Sequence, residues 1–214
     1  RLPVRALQLE LHARPDDPTV LELKSFDATL GTAATAAGRI RGQGRRAPSG
    51  WQLNTQLTAL QPAQLDARAP AMRLDGPLRL EGSGFDRTEA DAIAIQVRGQ
   101  LDGQLLDRRS AQAVQLRLDV LLGVLRVEVR EFLAQAGEAR ASMDARMTRA
   151  SRQAGWALRG QATLQDFDPL PWWPGPEDSA WRQGPHRLNG SASFDIALPA
   201  EAPSGTVLQQ LQRW

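Results

Sequence analysis

Alternation with a period of two runs through almost the whole chain. Val114, Leu116, Leu118 and Val120 are separated by Gln115, Arg117 and Asp119. Leu125, Val127 and Val129 alternate with Arg126, Glu128 and Arg130. Ile93, Ile95 and Val97 repeat the pattern, as do Met72, Leu74, Leu78 and Leu80 around a Gly76-Pro77 break. Leu7, Leu9 and Leu11 open the chain in this way, and Phe194, Ile196 and Leu198 nearly close it. Successive side chains of a strand point to opposite faces, so the spacing puts one face in a dry environment and the other in water. Turns are expected at Pro15-Asp16-Asp17-Pro18, Gly42-Gln43-Gly44, Pro48-Ser49-Gly50, Asp75-Gly76-Pro77, Gly82-Ser83-Gly84 and Asp102-Gly103. Between them lie roughly eleven strands of about 8–12 residues, long against a typical ~5–6. Long one-sided strands in succession predict an all-β fold, a long antiparallel meander forming an elongated, twisted, open trough or a solenoid-like tube. Helix signals are confined to a short turn within Asp86–Ala94 and a start within Thr206–Trp214; Pro199–Pro203 reads as a linker.

The chain also says one thing twice. Gly50-Trp51-Gln52-Leu53 returns as Gly155-Trp156-Ala157-Leu158, 105 residues on. Gly76-Pro77-Leu78-Arg79-Leu80-Glu81-Gly82-Ser83 returns as Gly184-Pro185-His186-Arg187-Leu188-Asn189-Gly190-Ser191, 108 residues on, with six of eight positions identical. Between these landmarks Leu60-Gln61-Pro62 answers Phe167-Asp168-Pro169, and upstream Leu21–Phe26 answers Val127–Phe132 more loosely. A period this long is a multi-strand unit and not one turn of a short solenoid. The expected organisation is two tandem copies, residues 1–105 and 106–200, with 201–214 beginning a further unit or a linker.

Composition narrows the function classes. The 214 residues include no cysteine, which removes disulfides, zinc–thiolate sites and thiol catalysis together, and fits an exported protein. No apolar run approaches the ~18 residues of a membrane-spanning helix; the longest, Val120–Leu125, is a third of that. The chain opens without a charged and apolar leader, so an exported protein of this kind is expected to carry its signal upstream as part of a longer chain. Lys24 is the one lysine among 26 basic residues, and 24 acidic residues leave a net charge of +2. Acids and bases are interleaved, so no basic stripe for nucleic acid forms, and Arg41–Arg46 and Arg108-Arg109 read as solvated loop charge. Aromatic residues make up 5% and tyrosine is absent. An aliphatic, under-filled face of this kind suits a flat seam or an open groove for acyl chains.

The run Gly155-Trp156-Ala157-Leu158-Arg159-Gly160, then Asp166-Phe167-Asp168-Pro169-Leu170-Pro171-Trp172-Trp173, then Gly184-Pro185-His186-Arg187-Leu188-Asn189-Gly190 resembles the repeating unit of the AsmA-like superfamily, and most closely its translocation and assembly module (TamB-type) branch. The resemblance covers about Leu21 to Leu198 in two copies; the first departs from it, since Leu60-Gln61-Pro62-Ala63 lacks the acids and the tryptophan pair. It implies a middle segment of a periplasmic protein of a Gram-negative bacterium. Such a protein is anchored at the inner membrane by an N-terminal helix outside this chain, and carries phospholipid between membranes in an aliphatic trough. It further implies a linked role in outer-membrane protein assembly, with a barrel partner of the Tam type contacted through regions outside this chain. Acyl chains would be held by burial at ~0.8 kcal/mol per CH₂, without direction and without chemistry. The positions expected to line the groove are Leu7, Leu9, Leu11, Leu21, Leu23, Leu74, Leu80, Ile93, Ile95, Val97, Val114, Leu116, Leu118, Val120, Leu125, Val127, Val129, Leu158 and Ile196.

No cofactor or metal is expected. His12 and His186 lack companions at ligand spacing and read as solvent-facing. Asp166 and Asp168 flank Phe167, but the proline after Asp168 favours turn capping over acid–base work. Gly82-Ser83-Gly84 lacks the spacing of a nucleophile elbow, and Gly42-Gln43-Gly44 lacks the third glycine and helix of a dinucleotide loop. Nothing nominates an enzyme. Trp51 and Trp156 read as strand-start anchors. Trp172, Trp173 and Trp181 sit in a Pro-rich stretch that cannot be a central strand. They form either a loop packed on its own strand or a rim plug and partner contact. The competing class is an exported structural β-solenoid or adhesin stalk with a closed core and no lipid; the 23% of charged residues argues against it.

Overall fold

A computed structural model describes residues 3–14, 17–32, 34–83, 93–106, 111–172 and 186–200. Eleven strands follow one another: β1 (Val4–Arg14), β2 (Asp17–Gly31), β3 (Ala36–Ala47), β4 (Gly50–Leu60), β5 (Met72–Ser83), β6 (Ala94–Leu106), β7 (Ala111–Gly123), β8 (Arg126–Ala136), β9 (Ala139–Thr148), β10 (Trp156–Phe167) and β11 (Leu188–Leu198). Each pairs antiparallel with the next, giving one meander in sequence order with β1 and β11 at its two edges. The sheet is not closed; it twists into an open trough. Helical structure among the described residues is one turn, α1 (Pro62–Leu65), after β4 and a 3-10 turn, Leu170–Trp172, after β10.

The strands run 10–15 residues each, longer than expected. Three of the expected turns are instead strand interior. Gly42-Gln43-Gly44 lies within β3, Asp75-Gly76-Pro77 within β5 and Asp102-Gly103 within β6. The glycines answer a demand for space: a Cβ built on Gly42 would lie 2.6 Å from the Phe26 ring, and one on Gly103 would strike the Arg73 carbonyl. Pro77 has no N–H to donate, and the β5–β6 ladder passes from Asp75–Asp102 to Leu78–Gly99 without pairing it. The turn at Pro48-Ser49 does join β3 to β4 as expected. The arginines of 41–46 belong to β3 and not to a loop. Expectations for the turn within Asp86–Ala94, for most of Pro199–Pro203 and for Thr206–Trp214 lie largely or wholly outside the described residues.

The two Gly-Trp landmarks both open a strand, β4 and β10, and both strands end alike. A bulge precedes each exit, with Ala59 (φ 52°) and Asp166 (φ 45°) in the left-handed region, followed by a short Pro-bearing helical turn. The second landmark takes different registers. Gly82 lies near the end of β5 opposite Trp51, whereas Gly190 lies near the start of β11 opposite Leu164. Residue 105 lies inside β6, and the ladder runs through β5, β6 and β7.

Buried apolar side chains gather at one end of the trough. Leu57, Met72, Leu74, Leu101, Leu105, Val114 and Ala136 form a cluster spanning β4 to β8, with Ile40, Leu60, Leu78, Leu116 and Trp172 packed against it. Two segments cover this end. α1 folds back over β2, β3 and β5, with the Gln61 N–H donating to the Ala37 carbonyl at 2.8 Å. The 3-10 turn leaves β10 and packs against β6. On a flat sheet β6 and β10 are four spacings apart, about 19 Å. Yet Trp172 stacks on Phe167 with ring centroids 5.9 Å apart while packing against the β4–β8 cluster. The sheet must therefore curl at this mouth.

Candidate functional site

The ladder registers decide which side chains share a face. Directly opposed residues project to the same side, so partners can be followed from strand to strand across the sheet. One row reads Leu9, Phe26, Gly42, Thr55, Leu78, Gly99, Leu118, Phe132, Met143, Ala162, Ala192. The next reads Leu11, Leu23, Gly44, Leu53, Leu80, Val97, Val120, Val129, Ala145, Gly160, Phe194. A third, nearer the uncovered mouth, reads Ala13, Leu21, Arg46, Trp51, Gly82, Ile95, Leu122, Val127, Met147, Leu158, Ile196. These rows and the buried cluster occupy the same face, the inner one. Each row crosses all eleven strands.

Seventeen of the nineteen positions expected to line a groove lie on this face, by register. Leu7, Leu9, Leu11, Leu21, Leu23, Leu80, Ile95, Val97, Leu116, Leu118, Val120, Val127, Val129, Leu158 and Ile196 are partly or well exposed along it. Leu74 and Val114 are also inward, but 3% and 1% exposed, so they belong to the packed end and not to open lining. Leu125 falls in the turn between β7 and β8, and Ile93 immediately precedes β6; neither is a ladder position. Bulges explain what alternation alone misses. Register shifts between Leu23 and Phe26, Leu57 and Leu60, and Val129 and Phe132 switch the inward parity, bringing Phe26, Leu60 and Phe132 inside. Met143, Met147 and Phe194 continue an inward parity already visible in their strands.

The bulky inward side chains are accommodated by glycine. Phe26 lies over Gly42, Trp51 over Gly82, Leu78 over Gly99 and Phe194 over Gly160, each pair directly opposed across neighbouring strands. A Cβ on Gly82 would collide with the Trp51 indole, and one on Gly160 would lie 2.7 Å from the Phe194 ring. Large groups thus lie down over bare backbone, leaving a face of low relief.

The outer face is an ion-pair lattice. Asp27 of β2 accepts from Arg39 and Arg41 of β3. Arg98 of β6 joins Glu81 of β5 and Asp119 of β7, at 3.7 and 3.3 Å. Glu128 of β8 accepts from Arg146 of β9 at 2.6 Å and from Arg126, with Arg130 at 3.5 Å. Hydrogen bonds from Arg39 hold the Asp27 carboxyl below its usual range, and those from Arg146 do the same for Glu128. Exposed pairs such as that of Arg98 with Glu81 contribute about 0–1 kcal/mol each, so their main effect is to keep this face wet; Glu128 is the exception, 9% exposed beneath its arginines.

The tryptophans divide. Trp172 faces inward, half-buried on the cluster at the covered mouth, beside a cleft of about 360 Å³ shared with Gln112, Asp168 and His186. Trp173 and Trp181 lie outside the described residues. At the opposite mouth, Trp156 carries the Arg149 guanidinium 4.5 Å above its ring. Asp168 accepts the Leu170 N–H at 3.0 Å and closes the turn, while Arg187 approaches Asp166 at 3.6 Å. His12 is exposed beside Glu10; His186 is half-buried in the cleft, in contrast to the solvent-facing expectation. Among the described residues no three His, Cys, Asp or Glu side chains could hold a metal ion. Likewise no described helix is long and apolar enough to cross a membrane. No family model, curated protein or solved structure matches the chain.

Proposed function

We propose that this chain is a segment of a bridge-like conduit for phospholipid, of the AsmA-like and most closely TamB-type kind. In this reading it works in the periplasm, with its membrane anchor and the contact to an outer-membrane barrel supplied by regions outside this chain. The observation that carries the reading is the set of apolar rows crossing all eleven strands of an unclosed sheet, half-covered away from the packed mouth. Leu9, Leu11, Leu122 and Ile196 are 56%, 63%, 39% and 42% exposed on that face. Apolar surface of this extent is costly in water at about 25 cal/mol per Å², and acyl chains laid along the rows would recover that free energy. Contacts of this kind ignore headgroup and chain position, so a lipid is held without being fixed. Among the described residues, the paired inner-face positions from Leu21 to Ile196 carry one charged side chain, Arg46, and no catalytic constellation, which suits carriage and not conversion.

The closed-core stalk has less behind it. β1 and β11 are separate edges, and most positions of the rows between them keep partial exposure.

The test is lipid extraction and native mass spectrometry of the purified protein. Phospholipid should co-purify with the wild-type chain and be lost in Val127→Glu, whose circular dichroism stays that of the parent. A lipid-free wild-type protein that also takes up none from vesicles would overturn the reading.

A further inference from the structure

From Leu21 of β2 to Ile196 of β11, the paired ladder positions of the inner face carry one charged side chain, Arg46. It stands in the row nearest the uncovered mouth, between Leu21, itself 37% exposed, and Trp51. The other β3 arginines near it, Arg39 and Arg41, are engaged by Asp27 on the outer face. Arg45 is on that outer face too, opposed to Glu22 and Gln52. No ion pair or hydrogen bond engages Arg46 among the described residues. The Trp51 indole lies over Gly82, partly exposed, in the same row at this mouth.

We infer that Arg46 and Trp51 form a headgroup station, where the phosphate of a lipid sits while its chains lie along the rows. The inference rests on the groove reading above and assigns the phosphate of its diacyl ligand to one pair of residues. Guanidinium presents a planar fork of N–H donors that matches phosphate oxygens two at a time. Tryptophan favours such a boundary, its ring body apolar and its N–H polar. A charge placed alone on an otherwise apolar face is disfavoured unless water or an anion meets it, and at this mouth both have access. Arg149 at the same mouth supplies no second station, because its guanidinium already donates to the Val124 and Arg152 carbonyls and stacks on Trp156.

The experiment uses the purified chain, incubated with vesicles of phosphatidylglycerol, phosphatidylethanolamine and diacylglycerol in equal parts and then re-isolated for lipid quantification. Wild type should retain the two phosphate-bearing lipids about tenfold over diacylglycerol, the difference expected of one charge-assisted contact. Arg46→Gln should retain all three about equally, Arg46→Lys should fall between the two because a point charge replaces the fork, and Arg45→Gln on the outer face should match wild type. An undiminished preference in Arg46→Gln overturns the station and leaves the groove reading standing. So does a preference abolished equally by millimolar inorganic phosphate, which marks a free anion site. Retention of no lipid by wild type removes the groove reading and the station together. If Arg46→Gln does not fold, Arg46→Met is measured in its place, and an undiminished preference there overturns the station.

Discussion

Trp172 rests on Phe167 with ring centroids 5.9 Å apart and an interplanar angle of 28°, although its other neighbours belong to a cluster built from β4 to β8. The indole therefore fastens the tenth strand to the middle of the sheet at one mouth. Trp172→Ala should lower stability by about 2 kcal/mol, less than a fully buried tryptophan because the residue is half-covered. Urea unfolding checks this: the midpoint should fall, with the loss confined to the covered mouth as judged by hydrogen exchange at Leu105 and Val114.

Burial separates groove from packed end. Leu105 is fully buried, whereas Leu118 on the same face is half-covered. Leu105→Glu should unfold the chain or cost more than about 4 kcal/mol, since a carboxylate would be left without partners in a dry cluster. Leu118→Glu should cost under about 2 kcal/mol and leave the spectrum native. Thermal melts of the two variants side by side give the answer, and equal losses would mean that the whole inner face is core.

Two glycines should respond differently to the same methyl group. A Cβ on Gly99 meets the end of the Leu78 side chain, which can swing aside. On Gly103 it meets the Arg73 carbonyl and the Leu74 Cα, which are backbone. Gly99→Ala should therefore cost less than about 1 kcal/mol and Gly103→Ala about 2–3 kcal/mol. Denaturation midpoints measure both, and an equal effect would contradict the packing described.

Acid should loosen the outer lattice in a defined direction. Arginine hydrogen bonds depress the carboxyls of Asp27 and Glu128 in that lattice, and those of Arg68 depress Asp66 at the end of α1 to about 2. A carboxyl depressed by folding contributes stability that is complete above its unfolded value, 3.8 for aspartate and 4.5 for glutamate, and is lost as pH falls through the folded value. Stability should be level near neutrality and decline from about pH 5 toward pH 2. Glu128→Gln should flatten the upper part of that decline; chemical denaturation at several pH values reads it directly.

Face membership was legible in the chain because it depends only on parity, and parity survives wherever a strand is regular. Val114 to Val120 and Ile95 to Val97 point inward as their spacing says. Parity breaks at bulges, which have no fixed sequence mark, so Phe26 and Phe132 lay hidden behind Leu23 and Val129. Glycine misled in the opposite direction. Gly42, Gly76 and Gly103 look like turn residues, yet they are strand positions crowded by a facing ring or by neighbouring backbone. The packed mouth was equally unreadable, because Trp172 meets β6 only after the sheet curls, and curl is a property of all the strands between them.

The glycines beneath Phe26, Trp51, Leu78 and Phe194 bear on movement as well as on packing. A guest travelling over a surface feels the difference between its peaks and hollows at every step, and a ripple of about 1 kcal/mol slows each hop roughly fivefold. Side chains standing upright at every second position would build such ripples along the whole path. With the largest groups laid flat, a guest moving along the rows would meet little friction, and its rate of travel would be set by entry and exit at the β1 and β11 ends and not by the distance between them.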